Sequence, residues 1–521
     1  MESPKYLTIG HAPDVVGPRE RRIYRLLEIL PGALAWGTLA LVIAASFLVP
    51  VWAALFIIAF DVYWLIKTIY LSVHMGASFR RMKKYLAKDW SREVAGIRAR
   101  SVDLNGIGVD DIVHLVILPY YQEPYRIIRD SVQALVDAHG DTSRIILVLA
   151  AEERAGVEAR YTGTKIKEEF GGYFRECILT VHPDGIPGEL PGKGSNEHWA
   201  GKQAVVAIDT MGIPHERVIV SVFDIDTVVP QDFFACLTWH YLNAEDPLHA
   251  SFQPIPIFTN NIWEAPAFAR IFSFSTTFWQ MIQQARPEQL VTFSSQSIGL
   301  KAIVEVGFWQ TNVVSEDSQI YWKCFLRYDG RWQTIPLYYP VYMDANVAPT
   351  FWETMVNQYK QIRRWHYGVE NNPYFMYGFL KNPRIPRGEK VRTTLQMTEK
   401  THSAATHALI IFLLGWLPLI GGGTEFSQSV LSYNLPILTR NIMLLAMIGL
   451  VTSAAISISL MPPRPPRYGK HYWAWMLLQW VLFPVNFIVF GAIPALDAQT
   501  RLMLGKYMGF WVTPKTREPT R

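Results

Sequence analysis

Two acidic residues close the apolar stretch RVIVSVFDID (217–226): Asp224 and Asp226, two positions apart. If that stretch is a β-strand, alternation puts both carboxylates on one side of it. Such a pair at a strand end suits a hard divalent ion, Mg²⁺ or Mn²⁺, whose open positions go to phosphate oxygens. A second acidic pair, Glu316-Asp317, follows Ser315 and precedes the helical stretch SQIYWKCFLRY. Either acid suits a helix N-terminus, and a carboxylate there can also take the proton of an attacking hydroxyl. Third, Gln361, Arg364 and Trp365 sit in a stretch with Trp352, Met355, Tyr359 and Ile362 at helical spacing. That pattern predicts an amphipathic helix at a membrane surface, offering a guanidinium to a diphosphate and an indole to a sugar face. Fourth, GELPGKGSN (188–196) reads as a loop whose glycines let backbone approach phosphate and whose Lys193 supplies a point charge. Its spacing is not that of a Walker A loop. Each feature alone has a bland reading, namely a solvated strand end, a helix cap, an interfacial helix or a plain loop.

The segments that must position these residues alternate between short apolar runs and polar helical stretches. IVHLVILPYY (112–121), RIILVLAAEE (144–153), CILTVH (177–182) and RVIVSVFDID (217–226) read as buried strands. IRDSVQALVDAH (128–139) and TKIKEEFGGYF (164–174) have helical periodicity. Apolar strands separated by helices predict an α/β domain with a mostly parallel sheet covered on both faces. Ligands of such sheets bind beyond the carboxyl ends of the strands, where the acidic pair at 224–226 falls.

Around this region the chain is membrane-like. Half of its 521 residues are hydrophobic and 18% are charged, against roughly 25% charged in an average soluble domain. Its 18 Trp and 24 Tyr suit aromatic belts at headgroup level. Residues 32–49 and 51–73 predict a transmembrane hairpin turning at Pro50. Residues 407–423, 441–461 and 472–496 form a second apolar group, the last broken by Pro484 and Pro494. The basic flanks PRERRIYR (18–25), FRRMKKYLAK (79–88) and PPRPPRYGKH (462–471) predict that these ends, and the domain between the groups, face the cytoplasm. The basic tail, including Arg517 and Arg521, belongs on the same side, which requires an even number of crossings after the domain. A long tilted span with a partial return, or a tight hairpin, over 472–496 would satisfy that. The first 30 residues have no apolar signal-peptide core. Cys177, Cys236 and Cys324 match no zinc spacing and read as buried thiols of a reducing compartment. A net charge of +5 is too small to indicate nucleic acid as a partner.

Taken in order, these features resemble the membrane-embedded family 2 glycosyltransferases, the group containing cellulose, hyaluronan and chitin synthases. That pattern has a first strand ending in Pro with an acid soon after, a Lys-bearing loop, D-x-D, an E-D pair and Q-x-x-R-W. Here it reads Pro119-Tyr120-Tyr121-Gln122-Glu123, Lys193, Asp224/Asp226, Glu316-Asp317 and Gln361/Arg364/Trp365. Phe510-Trp511-Val512-Thr513 looks like the F-x-V-T gating loop of cellulose synthases. One departure stands out: where the family has an Asp pair near the nucleoside, this chain has Glu152-Glu153.

The resemblance implies a GT-A-like domain between N- and C-terminal transmembrane helices. The implied layout is a cytoplasmic N-terminal segment (1–30), two transmembrane helices (31–73), the cytoplasmic glycosyltransferase domain (74–348), amphipathic interfacial helices (349–404), three to four transmembrane helices (405–497) and a cytoplasmic tail (498–521). It implies an inverting hexosyltransferase of the inner or plasma membrane that moves sugar from a nucleotide-sugar, expected to be a UDP-sugar, to a growing polysaccharide, with coupled export. Asp317 would be the base. Glu123, Glu152, Lys193, Asp224 and Arg364 would hold the donor, and Asp224 with Asp226 the Mg²⁺ or Mn²⁺. Glu316, Gln361 and Trp365 would face the acceptor, and Phe510, Val512 and Thr513 would gate the site. The alternatives are a transferase adding one sugar to a lipid and a non-catalytic transporter or structural membrane protein. The donor sugar, the linkage and the oligomeric state stay open.

Overall fold

The structure is a computed structural model that describes residues 4–104, 106–138 and 141–515. Arg517 and Arg521 of the basic tail lie outside the described residues. The chain opens with two helices, α1 (Pro18–Leu48) and α2 (Pro50–Leu86), joined through Val49. Pro50 takes the first turn of α2, where its missing N–H costs nothing, and so begins a helix directly after a break.

The α/β domain follows. Its seven strands are β1 (Val113–Pro119), β2 (Ile145–Glu152), β3 (Glu176–His182), β4 (Val218–Val222), β5 (Ala250–Phe258), β6 (Gln296–Gly299) and β7 (Gln333–Met343). They form one sheet in the order β3-β2-β1-β4-β6-β5-β7. All neighbours are parallel except where β6 runs against β4 and β5. β1, β2 and β4 are buried along their full length, which explains their unbroken apolar sequences. Helices α3 (Tyr125–Asp137), α4 (Val157–Phe170), α5 (Lys193–Thr210), α6 (Phe233–Asn243), α7 (Ala267–Gln284) and α8 (Glu316–Arg327) connect and cover the strands. The core lies on both faces of the sheet, one half built around Leu118, Leu149 and Phe223, the other around Ile117, Val148 and Trp322. Cys177, Cys236 and Cys324 are free and buried.

After the sheet comes the amphipathic α9 (Phe351–His366). It is started by a capping box in which Thr350 accepts from the Glu353 N–H at 3.2 Å. Then α10 (Arg387–Phe412) and the short helical segment Leu414–Gly421 form a bent pair, and α11 (Val430–Leu460) follows. By length and composition, four helical runs among the described residues can cross a membrane: α1, α2, α11 and Tyr472–Met503. Counting the bent pair, with its 44° bend, as one span brings the number to five.

Contacts order these runs relative to the domain. Gly421 packs against Phe47 and Gly422 against Pro50, so the bent pair ends beside the α1–α2 turn, away from the sheet. The chain is back at the domain after α11, where the Trp263 indole donates to the Pro462 carbonyl at 3.3 Å. The last run begins there, with Trp473 edge-on to Trp263. Along its length Arg270 of α7 donates to Gln479 at 2.8 Å and Phe268 packs on Phe490. It ends where Arg363 of α9 pairs with Asp497 at 3.0 Å. Both of its ends therefore lie on the domain side of the helix bundle. A π-turn at Ile488–Ala492, just after Pro484, breaks the regular helix. The tail consequently emerges next to the carboxyl ends of the strands.

Candidate active site

A cleft lies beyond the carboxyl ends of β1, β2 and β4. It is lined by Glu123, Glu152, Lys193, Asp224, Asp226, Asp317, Gln361, Arg364, Trp365, Phe510, Val512 and Thr513. These are the residues singled out in the sequence, with one exception. Glu316 sits behind Asp317, 1% exposed, and does not line the cleft.

Lys193 is at the centre. It begins the 18-residue helix α5 and so does not sit on a flexible loop, as the glycine-rich reading expected. The start of that helix is pressed against its neighbours. A Cβ at Gly192, whose φ is +155°, would fall 2.6 Å from the Phe510 ring, and one at Gly194 would fall 2.8 Å from the Gln310 carbonyl. Only glycine fits either place, and the close approach delivers the ammonium into a nest of carboxylates. Its Nζ lies 2.7 Å from Asp224, 2.8 Å from Asp317, 3.5 Å from Glu197 and 3.9 Å from Glu316. Burial works to lower the Lys193 pKa, but these acids, Asp224 first, hold it well above the usual lysine value. Burial works to raise Asp224, which Lys193 and Lys515 nevertheless hold below the ordinary carboxylate range. Burial also raises Asp317 against the pull of Lys193. Burial and the neighbouring Asp317 push Glu316 up to about 8, and burial lifts Glu197 well above its usual range.

The Asp224/Asp226 pair differs from its expected form. The β4 ladder ends with Phe223, whose N–H donates to the Ile117 carbonyl. The two aspartates belong to a turn closed by the Thr227 N–H on the Asp224 carbonyl at 2.8 Å. Strand alternation therefore does not govern them. Asp224 faces Lys193 and accepts from the Ser294 hydroxyl at 2.5 Å. Asp226, nearly fully buried, accepts from the Asp344 N–H at 3.0 Å and pairs with Lys515.

Lys515 is a site residue that the motif reading missed. It stands two positions past Thr513, just beyond the four residues compared. The tail folds back so that Phe510 lies under the Arg364 guanidinium at 4.6 Å and Lys360 lies over Trp511 at 5.4 Å. Trp365 is set in an aromatic collar of Phe258, Phe272 and Phe293, about 6 Å between ring centroids. On the opposite wall, Glu152 is forked with Arg154 at 2.5 and 3.2 Å, and that guanidinium lies 4.3 Å over the Tyr121 ring. Glu123 accepts from the Tyr121 N–H at 2.7 Å.

Hard carboxylate oxygens are abundant enough for a divalent cation. Among the described residues, Glu197, Glu316 and Asp317 each place one oxygen within 4.8 Å of the others. The Glu197 and Glu316 oxygens are buried without a hydrogen-bond partner, a state that a metal ion or bound protons would relieve. This acidic cluster, which could hold a metal, is a different set from the Asp224/Asp226 pair. Glu197 lies one helical turn after Lys193 and becomes visible as a neighbour only once α5 is known to start there.

No curated protein matches this chain in sequence. Among solved structures, the mannosyltransferase PcManGT from Pyrobaculum calidifontis, determined in complex with GDP-Man and Mn²⁺, is similar over 86% of this chain and 99% of its own, with 14% identity and a TM-score of 0.44. S. aureus TarS 1-349 is similar over 66% of this chain and 91% of its own, with 12% identity and a TM-score of 0.29. At these scores neither likeness bears on mechanism. The family model described as glycosyl transferase family group 2 matches residues 219–492, just over half of the chain, from the strand before Asp224 to the last helical run. By that match the chain belongs to glycosyl transferase family group 2 and is a glycosyltransferase.

Proposed function

We propose that this protein transfers a sugar from a nucleotide-sugar donor to a growing polysaccharide at the membrane surface, with inversion at the anomeric carbon. The observation that carries the reading is the single cleft in which Lys193, Asp224, Asp226, Asp317, Arg364, Trp365 and the folded-back tail meet, although they are scattered over more than half the chain. The acceptor hydroxyl gives its proton to Asp317 as its oxygen bonds to the anomeric carbon, and the nucleoside diphosphate leaves with the bonding pair. Negative charge grows on the leaving diphosphate, and Lys193, Arg364 and Lys515 lie where they can meet it. Asp224 and Asp226 would hold a Mg²⁺ or Mn²⁺, which when bound supplies further positive charge at the diphosphate. Gln361 and Trp365 position the acceptor sugar. Glu123 and Glu152 face the donor, proposed to be a UDP-sugar.

The membrane layout agrees with this reading. The basic flanks of the helices and the return of the tail to the cleft support a cytoplasmic domain on the cell membrane, with product exported through or along the helices. One observation favours a second reading, the addition of a single sugar to a lipid. Phe351 and Trp352 of α9 are 47% and 75% exposed, and α9 also lines the cleft, so the site adjoins a surface where a lipid acceptor would lie. The test is the purified chain in nanodiscs, offered UDP- and GDP-sugars with Mg²⁺ or Mn²⁺, with nucleoside diphosphate release measured and products sized. A long product supports the first reading and one sugar on a lipid the second. No release with any donor overturns both.

A further inference from the structure

Residues 4–17, ahead of the first membrane helix, are built into the catalytic domain. Leu7 is fully buried in its core, and its carbonyl accepts from Tyr374. The Thr8 carbonyl accepts from Gln310 at 2.7 Å. A Cβ at Gly10 would fall 2.8 Å from Asn312, so this strap runs against the segment that leads into α8. It delivers His11, 8% exposed, to Glu370, with Nε2 and Oε2 3.2 Å apart.

Glu370 in turn holds the start of α8. Its Oε1 accepts from the Val314 N–H at 2.9 Å, the Ser315 N–H at 2.8 Å and the Ser315 hydroxyl at 2.7 Å. Ser315 is the N-cap of α8, and its hydroxyl makes no capping bond to the helix; it donates to Glu370 instead. The next two residues are Glu316 and Asp317. Glu370 is 1% exposed, and among the described residues His11 is the one basic side chain within ion-pair distance of it.

The other side of His11 meets the tail. Its ring lies 4.2 Å from that of Tyr507, whose hydroxyl donates to Glu28 at 2.9 Å. Glu28 also accepts from the Ala12 N–H and from Arg25, and Arg25 donates to the Leu502 and Met503 carbonyls just before the tail. Three segments far apart in sequence therefore meet at one imidazole.

We propose that His11 is a positioning residue: by holding Glu370 it fixes the N-terminus of α8 and hence Asp317, and by packing its ring against that of Tyr507 it ties that element to the tail over the cleft. The consequence for catalysis rests on the reading of Asp317 as the base, whereas the mechanical link does not. Protonation strengthens the link. The groups facing His11 are Glu370 from the turn after α9, Glu28 from α1, Asp14 from the strap and Tyr507 from the tail. Burial opposes the charge, but the hydrogen bond to Glu370 and the three acids outweigh it and raise the His11 pKa above 6.5. The link is thus full below the ordinary histidine pKa and weakens as pH rises through the raised one.

The test uses the full chain in nanodiscs with two variants, His11→Ala and His11→Gln, read by hydrogen exchange and by the pH dependence of kcat. Exchange over 313–318 and over 506–512 should both accelerate in His11→Ala. His11→Gln, which keeps a neutral donor, should restore most of the protection over 313–318. Wild-type kcat should fall about tenfold on the alkaline side, the scale of one lost charge-assisted hydrogen bond. His11→Gln should lack that limb, with the donor KM little changed. Unchanged exchange over 313–318 in His11→Ala overturns the proposal, and so does an alkaline limb that persists in His11→Gln. If Asp317→Asn proves active, the base assignment fails, but the exchange result still decides whether the strap holds α8.

Discussion

Asp317→Asn separates base catalysis from donor binding, and the structure gives both magnitudes. In the ground state the change is small. Asparagine has the shape of aspartate, and its carbonyl can still accept from Lys193, now 2.8 Å from Asp317. Asp224 remains 2.7 Å from the same ammonium. Exchanging a charged acceptor for a neutral one costs about 1 kcal/mol. Against that, one negative charge leaves a site that must admit a diphosphate and that already gathers four carboxylates around Lys193. The two effects oppose, so the donor KM should stay within about threefold of wild type or fall. In the transition state the loss is large, because an amide cannot take the acceptor proton. General-base catalysis contributes roughly 10²–10⁴-fold, or about 3–5 kcal/mol. The assay is nucleoside diphosphate release at saturating acceptor, with kcat and donor KM resolved separately. A kcat loss under about tenfold would refute the assignment of Asp317. A loss carried wholly by KM would show that Asp317 binds donor and is not the base.

Lys515→Met should raise the donor KM about tenfold or more, by removing a charge-assisted contact beside Asp226, and should also lower the melting temperature, because the buried Asp226 loses that cation; isothermal titration with nucleoside diphosphate and a thermal melt check this. Lys193→Met leaves buried carboxylates without their cation and should destabilise the domain by roughly 3–5 kcal/mol, seen as a lower Tm at pH 7. Gly192→Ala drives a Cβ into the Phe510 ring, at a cost of about 1–3 kcal/mol, and should expose residues 506–515 to faster proteolysis than in wild type. Glu316 is raised to about 8, so its neutral form favours the folded state; that contribution is complete below about pH 4.5 and is lost as pH rises through 8. Thermal melts from pH 6 to 9 should show wild type losing stability from pH 6 up to about 8 and levelling off above that, while Glu316→Gln stays flatter.

The parts of this molecule that were legible in its sequence share one property: their signal is local. β1, β2 and β4 are apolar throughout because both faces of each strand are covered, and that requirement is written within single segments. β5 is equally buried and β7 largely so, yet they carry Pro254, Pro256, Pro336 and Pro340, which argue against a strand interior. The sheet accommodates them through a register shift between Gln253 and Ile255, a feature of the pairing and invisible in either segment alone. The site divides the same way. Asp224, Asp317 and Arg364 sit in short patterns, so type and spacing found them. Asp226 was found, but its orientation was not, because the ladder stops at Phe223 and a turn takes over. Glu197 needed the start of α5, and Lys515 needed the tail to fold back. His11 and Glu370 lie 359 positions apart, with no motif around either. In the sequence the strap bearing His11 reads only as part of a polar cytoplasmic N-terminal segment, residues 1–30. Its proposed role becomes visible only when the fold brings it against a buried carboxylate that already has three donors and, among the described residues, no other cation within ion-pair distance. In this chain most of the groups proposed to perform the chemistry are written in local patterns, whereas the groups proposed to hold them in place are defined by contacts across the whole chain. Exchange and pH profiles at His11 will therefore test the fold more severely than another substitution within a recognisable motif.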